Sequence, residues 1–529
     1  MGEAGMNALA SIAGKRARDE EVAGGAPMEK RPFRGWSFPH RPWFGRRHQL
    51  LPLSLLASSS FEGHLVPSPL PSRAQPPGPA ASMSTTKSSS RRPPRTGAAR
   101  RAAAHILLNV TAVVGIHSNR TSATSLTRNK VPISVSFLFQ RPPQLSTVFV
   151  HSSDLHPNDP PEIVRSVDDL VLLRVNVSRF RTLDGCDYFI YRAHPRRPSL
   201  ALLQRPHPFI QNCTAGLLPR PDGQYTVAAL VATGVGDFYE LHLFHSDTAS
   251  SGWSTRTLSM PQQRFPVEIP RKCDRLLCHH TTTVITIGGK LGTMGWVDLW
   301  RGILLCDLLD PNPALRVMPL PLPLEKIRAN NGLGVYLGYP GDYRGISFIR
   351  EKCCFKFVHM EVIGDRIGDD ENGMLAFRVD DWKITTWNNT EMRDSLDDWY
   401  EGVTVKASEI TIDHDPAVSQ ALENSGLLCK PHYTEEATAG QQGLQNLSTY
   451  QPIPCARGED VVYLMVRKKF MHPMAWMLAV EMKDRGRLRA VACSGQLQRK
   501  FLAPMYCSST ISKYLNPNKL KKPATVPGN

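Results

Sequence analysis

The densest group of potential metal ligands in the sequence lies between residues 273 and 280. Cys273, Cys278, His279 and His280 offer thiols and imidazoles, which are the side chains that hold zinc in tetrahedral sites. Their spacing does not suit such a site, because adjacent histidines on an extended chain point to opposite sides and no second Cys-x-x-Cys pair occurs. We therefore predict no metal site here and expect these side chains to serve in packing.

Two other short segments contain residue types that could do chemistry. The run from Gly288 to Gly292 has the composition of a phosphate loop, but it lacks the full motif and no helix follows it, so it predicts a hairpin turn. Asp413, His414 and Asp415 could form a carboxylate–imidazole pair for general base catalysis. No nucleophile or oxyanion donor accompanies them, and Pro416 predicts a loop.

A basic stretch from Arg467 to His472 lies between two apolar runs and is typical of an exposed hairpin loop. With its single aromatic residue, Phe470, it could contact an acidic partner, but the pattern favours a solvated loop. Taken together, these segments predict no catalytic residues, no cofactor-binding residues, no metal ligands and no cofactor.

The segment from Met294 to Leu324 is the one around which we expect the fold to be organised. Its apolar core predicts two strands that bend at Arg301-Gly302, and the second strand is apolar enough to be covered on both faces. Alternate prolines from Pro319 to Pro323 then suit an exposed edge or a linker and exclude a central strand. We expect Trp296 and Leu305 to be buried.

Short β-rich runs separated by turn residues continue from Ala104 to near Ser512. A strand from Phe238 to His245, a polar loop and a second strand opened by Trp253 have the form in which many propeller blades close. Units of this shape recur at unequal spacing, so no fixed period indicates the number of blades. We predict an all-β fold, a β-propeller-like array of short antiparallel strands, with packed β-sandwiches as the alternative.

The net charge of +16 is concentrated near the N-terminus. Residues 1–101 contain 16 Lys/Arg and 6 Asp/Glu, and they lack periodic apolar positions that could offset the entropy of folding. The sequence therefore predicts a disordered basic tail at 1–101, a β-rich domain at 102–512 and a loose basic tail at 513–529.

Cysteine usage and apolar content bear on the cellular location. The 11 cysteines are an odd number in a chain without a secretory signal at its start, which favours reduced thiols in a soluble intracellular protein of the cytoplasm or nucleus. The apolar run from Leu50 to Ala57 is too short to span a bilayer, so we predict no membrane association. Lys15 to Arg18 has the form of a nuclear-localisation cluster, and a transit peptide is conceivable only if translation starts at Met83.

Several runs resemble the plant family known as domain of unknown function 1618. The stretch GWVDLWRGILLCDLLDPNPALRVMPLPLP is the most specific, from Trp296 to Pro319. The runs HILLNVTAVVG, RPPQLSTVFVH, VVYLMV and WMLAVEMK extend the resemblance from about residue 104 to about residue 510. That family is similar to kelch-type and F-box-associated β-propeller proteins, and some members carry an F-box where this chain has a basic tail. The resemblance implies a plant protein with a propeller fold and supplies no catalytic residues.

These observations favour a non-catalytic protein–protein interaction platform, because a propeller displays variable loops around one mouth on a rigid frame. The expected partner is an unidentified protein, and the basic tail could also hold nucleic acid weakly. The alternative is a metal-dependent oxidase or hydrolase built on a propeller. Such an enzyme would need Tyr, Cys and His ligands that converge on the inner strand ends, and the sequence shows no such pattern.

Overall fold

The computed structural model describes residues 105–178, 185–203, 211–233, 238–247, 252–260, 279–321, 339–369, 375–393, 395–412, 415–428, 443–469, 472–483, 485–496 and 504–515. The tail predicted at 1–101 and most of the tail predicted at 513–529 lie outside these residues. Within them, the strands form six small sheets, which are the blades of a six-bladed β-propeller. The propeller-like all-β prediction is confirmed, and the packed sandwiches are not observed.

The first three blades occupy the N-terminal half of the described chain. Blade 1 contains β1 (Ile106–Asn109), β2 (Val113–Val114), β3 (Ala123–Leu126), β4 (Pro132–Leu138), β5 (Leu145–His151) and the last strand, β27 (Tyr506–Ser509). Blade 2 contains β6 (Glu162–Val167), β7 (Leu170–Asn176), β8 (Cys186–Arg192) and β9 (Ser199–Leu203). Blade 3 contains β10 (Ala215–Pro219), β11 (Tyr225–Ala232), β12 (Phe238–His245) and β13 (Trp253–Ser259).

The other three blades follow in the same order. Blade 4 contains β14 (Thr283–Gly288), β15 (Thr293–Asp298), β16 (Gly302–Asp307) and β17 (Leu315–Pro319). Blade 5 contains β18 (Arg344–Ile349), β19 (Cys354–Asp369), β20 (Leu375–Asn389) and β21 (Tyr400–Lys406). Blade 6 contains β22 (Thr411–Ile412), β23 (Ser448–Pro454), β24 (Val461–Arg467), β25 (Met474–Glu481) and β26 (Arg487–Gln496).

Continuous apolar strands such as β7 form because each blade is covered on both faces. Successive side chains on a strand point to opposite faces. Val171 and Leu173 accordingly lie in the core shared with blade 1, whereas Leu170 and Leu172 lie in the core shared with blade 3. All four are fully buried, so the near-unbroken apolar pattern reflects two adjacent cores and not a single one.

The predicted strand pair in blade 4 is confirmed. β15 and β16 are joined through residues 299–301, and both Trp296 and Leu305 are buried. The Trp296 indole donates a hydrogen bond of 2.8 Å to the carbonyl of Thr214, which ties blade 4 to blade 3. The proline-rich exit begins in the edge strand β17 as predicted, but Pro319 is buried and not exposed. The glycine run at 288–292 forms the predicted hairpin turn, with positive φ at Gly288.

The innermost strands of the six blades are β6, β10, β14, β18, β23 and β27. Side-chain hydrogen bonds join neighbouring innermost strands: Ser166 Oγ and Ser509 Oγ are 2.7 Å apart, and Ser347 Oγ donates to the carbonyl of Pro454 at 3.1 Å. We call the end at which these strands begin the mouth. The ring closes in blade 1, where β27 pairs antiparallel with β1 and places Ser509 opposite Ile106.

A helix, α1 (Pro416–Ser425), lies where Pro416 predicted a loop, so that prediction was wrong. Proline suits the first helical position, where its missing N–H needs no partner. The Asp415 side chain accepts a hydrogen bond of 2.9 Å from the Ala417 N–H, and Gly426 ends the helix with φ +58°. Val418 and Leu422 pack α1 into the core between blades 5 and 6. No helix in the described residues is long and apolar enough to span a membrane.

Candidate functional site

The sequence-derived metal candidates do not meet in the described part of the chain. His279 is buried and His280 is exposed, as expected for adjacent residues on an extended segment. Cys273 and Cys278 lie outside the described residues. Within those residues, no group of three His, Cys, Asp or Glu side chains is placed to hold a metal ion.

Two other segments that the sequence singled out are residues 413–415 and 467–472. Asp413 and His414 lie outside the described residues, and Asp415 serves as the cap of α1. The loop after β24 was predicted to be exposed, but Arg467 is 2% exposed, so for this residue the prediction was wrong. Its guanidinium donates hydrogen bonds to the carbonyls of His472 and Pro473, so the buried arginine holds the far end of the loop.

A polar group that the sequence did not single out lies at the propeller axis. Arg165 belongs to β6 of blade 2, and its Nη2 donates a hydrogen bond of 2.8 Å to the carbonyl of Cys213, just before β10 of blade 3. Its charge also interacts with Cys507 on β27 of blade 1 and with Tyr339, just before β18 of blade 5. Groups from four of the six blades can converge in this way only near the axis, at the mouth. We call Arg165, Cys213, Tyr339 and Cys507 the axial cluster.

Arg165 combines a deep position with partial exposure to solvent. It lies deep in the protein, yet part of its surface remains accessible to solvent. Cys213 and Cys507 share this combination, whereas Tyr339 is 9% exposed. A propeller leaves a channel between its innermost strands, and the axial cluster occupies the mouth end of that channel.

Arg165 is the one charged member of the axial cluster near neutral pH. Burial lowers the pKa of Arg165 to about 10, so the guanidinium remains protonated, while the nearby thiols and phenol oppose this shift. Burial raises the pKa of Cys507 to about 12 and also raises the pKa values of Cys213 and Tyr339. The two thiols and the phenol are therefore neutral, and neutral thiols are poor nucleophiles. The axial cluster therefore presents one positive charge surrounded by neutral thiols and a neutral phenol.

Hydrogen bonding leaves the Arg165 guanidinium incompletely satisfied. Of its five N–H donors, one on Nη1 bonds to the carbonyl of Val164 and one on Nη2 bonds to the carbonyl of Cys213. Nε is buried and has no partner among the described residues. No carboxylate in the described part of the chain forms an ion pair with this guanidinium. Arg165 thus carries a buried positive charge that these residues do not neutralise.

Arg174, also in blade 2, has the opposite surroundings. Its guanidinium forms a bidentate pair with Asp159, at 3.1 Å from Nη1 and 3.0 Å from Nη2, and lies 3.6 Å from Glu162. Burial alone would lower the pKa of Arg174, but the hydrogen bonds to Asp159 and the nearby negative charges raise it above its usual value. Asn176 donates a further hydrogen bond of 2.9 Å to Asp159, so the group is a compensated structural network.

Arg344, in blade 5, is a second buried cation with a structural role. Its Nη1 donates to the carbonyl of Leu299 at 3.0 Å, its Nε to His359 Nδ1 at 3.2 Å, and its guanidinium lies 4.3 Å from the centre of the Trp300 ring. Burial lowers the pKa of Arg344 to about 9, against the favourable charges of two nearby carboxylates, one of them Asp298. These contacts fasten blade 5 to blade 4.

The opposite end of the axis is crossed by an ion pair. Arg350 follows β18 in blade 5, and Asp168 follows β6 in blade 2, three blades away around the ring. Arg350 Nη1 lies 2.5 Å from Asp168 Oδ2. The salt bridge thus joins blades 5 and 2 at the end of the axis opposite the axial cluster.

Little in the sequence could have identified the axial cluster. Arg165 is a single charged residue within the short run EIVRSV, a pattern that also fits an exposed strand position. Cys213, Tyr339 and Cys507 are far apart in sequence, and only the closed ring of blades brings them together. Spacing along the sequence can reveal a site whose residues lie on one strand or helix, but the residues of the axial cluster come from four blades.

Comparison with solved structures finds two enzymes among the matches. An α-L-arabinanase from Penicillium chrysogenum, solved with arabinobiose, is 9% identical, with 73% of this chain and 85% of the arabinanase covered and a TM-score of 0.24. A xylan β-1,4-xylosidase from Bacillus halodurans is 13% identical, with 64% of this chain and 55% of the xylosidase covered and the same TM-score of 0.24. Neither similarity extends to an inference about function.

Sequence comparison gives one family and no characterised relative. No curated protein matches this sequence. The matched segment begins at Trp296 in β15 and ends at Tyr463 in β24, so it spans blade 5 and parts of blades 4 and 6. The resemblance noted in the sequence is confirmed for residues 296–463, which match the family described as "Protein of unknown function (DUF1618)".

Proposed function

We propose that the protein is a non-catalytic binding propeller that takes a protein partner at its mouth, through the long hairpin of blade 5. The observation that carries this proposal is the length of β19 and β20, which have 16 and 15 residues, whereas the flanking β18 and β21 have 6 and 7. The plant source and the intracellular location implied by the sequence remain predictions.

The hairpin extends beyond its own blade on the mouth side. β18 begins at Arg344 opposite His359, and β21 pairs with β20 only from Lys383 onward. Beyond these points, among the described strands, β19 and β20 pair only with each other. At about 3.4 Å per residue, the segment from Glu361 to Asp369 is on the order of 30 Å long.

The base of the hairpin is firmly anchored. Trp382 is fully buried, and its indole donates a hydrogen bond of 2.9 Å to the carbonyl of Leu444 in the segment before β23. The Asn446 side-chain amide donates a hydrogen bond of 2.9 Å to the carbonyl of Val379. Ile363 is 44% exposed despite being a large apolar residue. A rigid hairpin with unpaired strand edges and an exposed apolar residue can accept an extended peptide as an additional strand.

Charge indicates the kind of peptide that would bind. Residues 364–381 contain six acidic residues (365, 369, 370, 371, 380 and 381) and two arginines (366 and 378), which gives a net charge of −4 in a chain of net charge +16. An extended basic segment would be complementary to this hairpin. Binding of this kind requires no catalytic group, in keeping with the neutral thiols of the axial cluster.

Site-specific photocrosslinking tests the proposal. A photoreactive amino acid replacing Ile363 should give discrete high-mass adducts in extract of the source organism, and the same probe replacing Leu202 on β9 should not. Both positions are exposed, but Leu202 lies in blade 2. Replacing residues 365–378 with an Asn-Gly turn, which joins the paired residues Gly364 and Val379, should abolish the adducts. Identical adducts from both positions, or none from Ile363, would refute the proposal.

A further inference from the structure

The axial cluster has the properties of a binding site that the hairpin proposal does not use. A buried guanidinium carries three N–H donors that make no hydrogen bond to the described residues, and one of them, on Nε, is enclosed by protein. Unsatisfied buried donors on a charged group are uncommon in folded proteins, because their desolvation is costly. Part of Arg165 remains accessible to solvent, so a ligand can reach it.

We propose that the axial cluster binds the carboxylate group of a small monocarboxylic acid, with Arg165 as its charge partner. The guanidinium fork matches the two oxygens of a carboxylate, and the ligand would accept the hydrogen bonds that the fold leaves unmade. The Tyr339 hydroxyl, which is neutral, can donate a further hydrogen bond to the same group.

The charge of the site selects a monoanion over phosphate or sulfate. For Cys213 and Cys507, Arg165 is the one cation among the described residues whose charge influences the thiol. It is also the one such cation for the Tyr339 phenol, on which the Asp342 carboxylate acts with a negative charge. With one positive charge in the cluster and a carboxylate beside Tyr339, the site can take no more than a single negative charge from a ligand. A dianion would leave an excess negative charge among thiols and a phenol, which are weak donors, so it would bind less well.

The two ends of the axis indicate how the ligand enters. The ion pair between Arg350 and Asp168 crosses the end opposite the mouth. The axial cluster lies at the mouth, so the ligand enters there. This inference does not depend on the proposed function, because Arg165 and the blade 5 hairpin belong to different blades and can be altered separately.

Butanoate is the probe for the full-length chain, with butanamide as its neutral counterpart of similar shape and phosphate as the dianion, all at matched ionic strength. Butanoate should raise the melting temperature of the wild-type protein, whereas butanamide should not and phosphate should do so less. In calorimetric titration, Arg165→Met should weaken butanoate binding by at least about tenfold, because it removes charge-assisted hydrogen bonds. Arg316→Met, an exposed arginine on β17, is the matched control and should bind as the wild type does.

The comparison of butanoate with butanamide in the wild-type protein needs no variant to fold, and equal shifts in melting temperature for the two would overturn the proposal. Arg165→Lys is a second variant, which keeps the positive charge but loses the guanidinium fork, so it should bind butanoate more weakly than the wild type and more tightly than Arg165→Met. Equal binding by the wild type and Arg165→Met would overturn the proposal. Tighter binding of phosphate than of butanoate would also overturn it.

Discussion

Blade 2 contains two deeply placed arginines with opposite surroundings. Arg174 is held by a bidentate carboxylate and lies near a second one, and the pKa of its guanidinium is raised. Arg165 donates to two backbone carbonyls, has no ion pair among the described residues, and has its pKa lowered to about 10. Both side chains start from neighbouring strands, so depth alone does not distinguish them.

The difference teaches how to separate a structural arginine from one available to a ligand. Removing a guanidinium from water costs several kcal/mol, and a carboxylate within the fold offsets part of that cost. Asp159 and Glu162 do so for Arg174. For Arg165 no carboxylate among the described residues offsets the cost, which is typical of sites where stability is given up for binding. Charge compensation, and not burial, is therefore the informative observation.

The largest loss of stability is expected from replacing Arg174, whose charge is compensated by carboxylates. Arg174→Met would leave Asp159 and Glu162 without their guanidinium in a poorly solvated position, and breaking a buried pair in this way costs roughly 3–5 kcal/mol of unfolding free energy. Urea denaturation of the two proteins measures the difference. A loss below about 1 kcal/mol, the scale of exposed ion pairs, would mean that Arg174 is not a structural arginine.

His105, beside the strand pair that closes the ring, can acquire a buried positive charge when the pH falls. His105 is buried, its Nε2 lies 2.7 Å from Ser508 Oγ on β27, and burial together with the charges of Arg457 and Lys513 lowers its pKa to about 4. Between its unfolded and folded pKa values the unfolded chain binds the proton more readily, so stability falls as pH decreases from about 6.5 towards 4.

The expected contribution of His105 is a loss of about 2 kcal/mol between about pH 7 and pH 5. His105→Gln retains a hydrogen-bonding group for Ser508 but does not titrate, so its denaturation midpoint should change less over this range. The control matters because burial also lowers the pKa of His279, to about 3, and that residue contributes in the same direction. Parallel pH profiles for the two proteins would contradict the prediction.

The smallest change in stability is expected from replacing Arg165, whose charge no carboxylate among the described residues compensates. Arg165→Met removes two hydrogen bonds to carbonyls, at a cost of about 1 kcal/mol each, and also removes a buried charge without an internal partner. These terms oppose each other, so the unfolding free energy in the absence of ligand should change by less than about 1 kcal/mol. Destabilisation equal to that of Arg174→Met would remove the distinction between the two arginines.

The sequence predicted the local elements of this fold more completely than their assembly. Alternating and continuous apolar runs identified strands such as Phe238–His245 within a residue, because each run fits one period of side-chain burial. The number of blades could not be predicted, since the hairpin of blade 5 and the five-stranded blade 6 make the repeat unequal. Helix α1 was missed although Asp415, Pro416 and Gly426 are the usual residues of a helix start and end.

The candidate site was almost wholly beyond sequence reasoning. Arg165, Arg344 and Arg467 are all buried or deeply placed, yet arginine is mostly a surface residue and each lies in an unremarkable strand pattern. What identifies them is the set of partners supplied by other blades or by a folded loop, such as the carbonyls of Cys213, Leu299 and Pro473. Such partners exist only after long-range closure, so no local pattern encodes them.

The pairing of β27 with β1 has a consequence for synthesis of the chain on the ribosome. Ile106 and Tyr506 are separated by 400 residues (506 minus 106), which takes on the order of 20–80 s to translate. Throughout that time β1, which contains the buried residues Leu107 and Leu108, has one edge that is not yet paired with β27. The nascent protein therefore exposes an apolar strand edge until its last strand, β27, has been made, and a translational pause before residue 506 would prolong its exposure to aggregation and its dependence on chaperones.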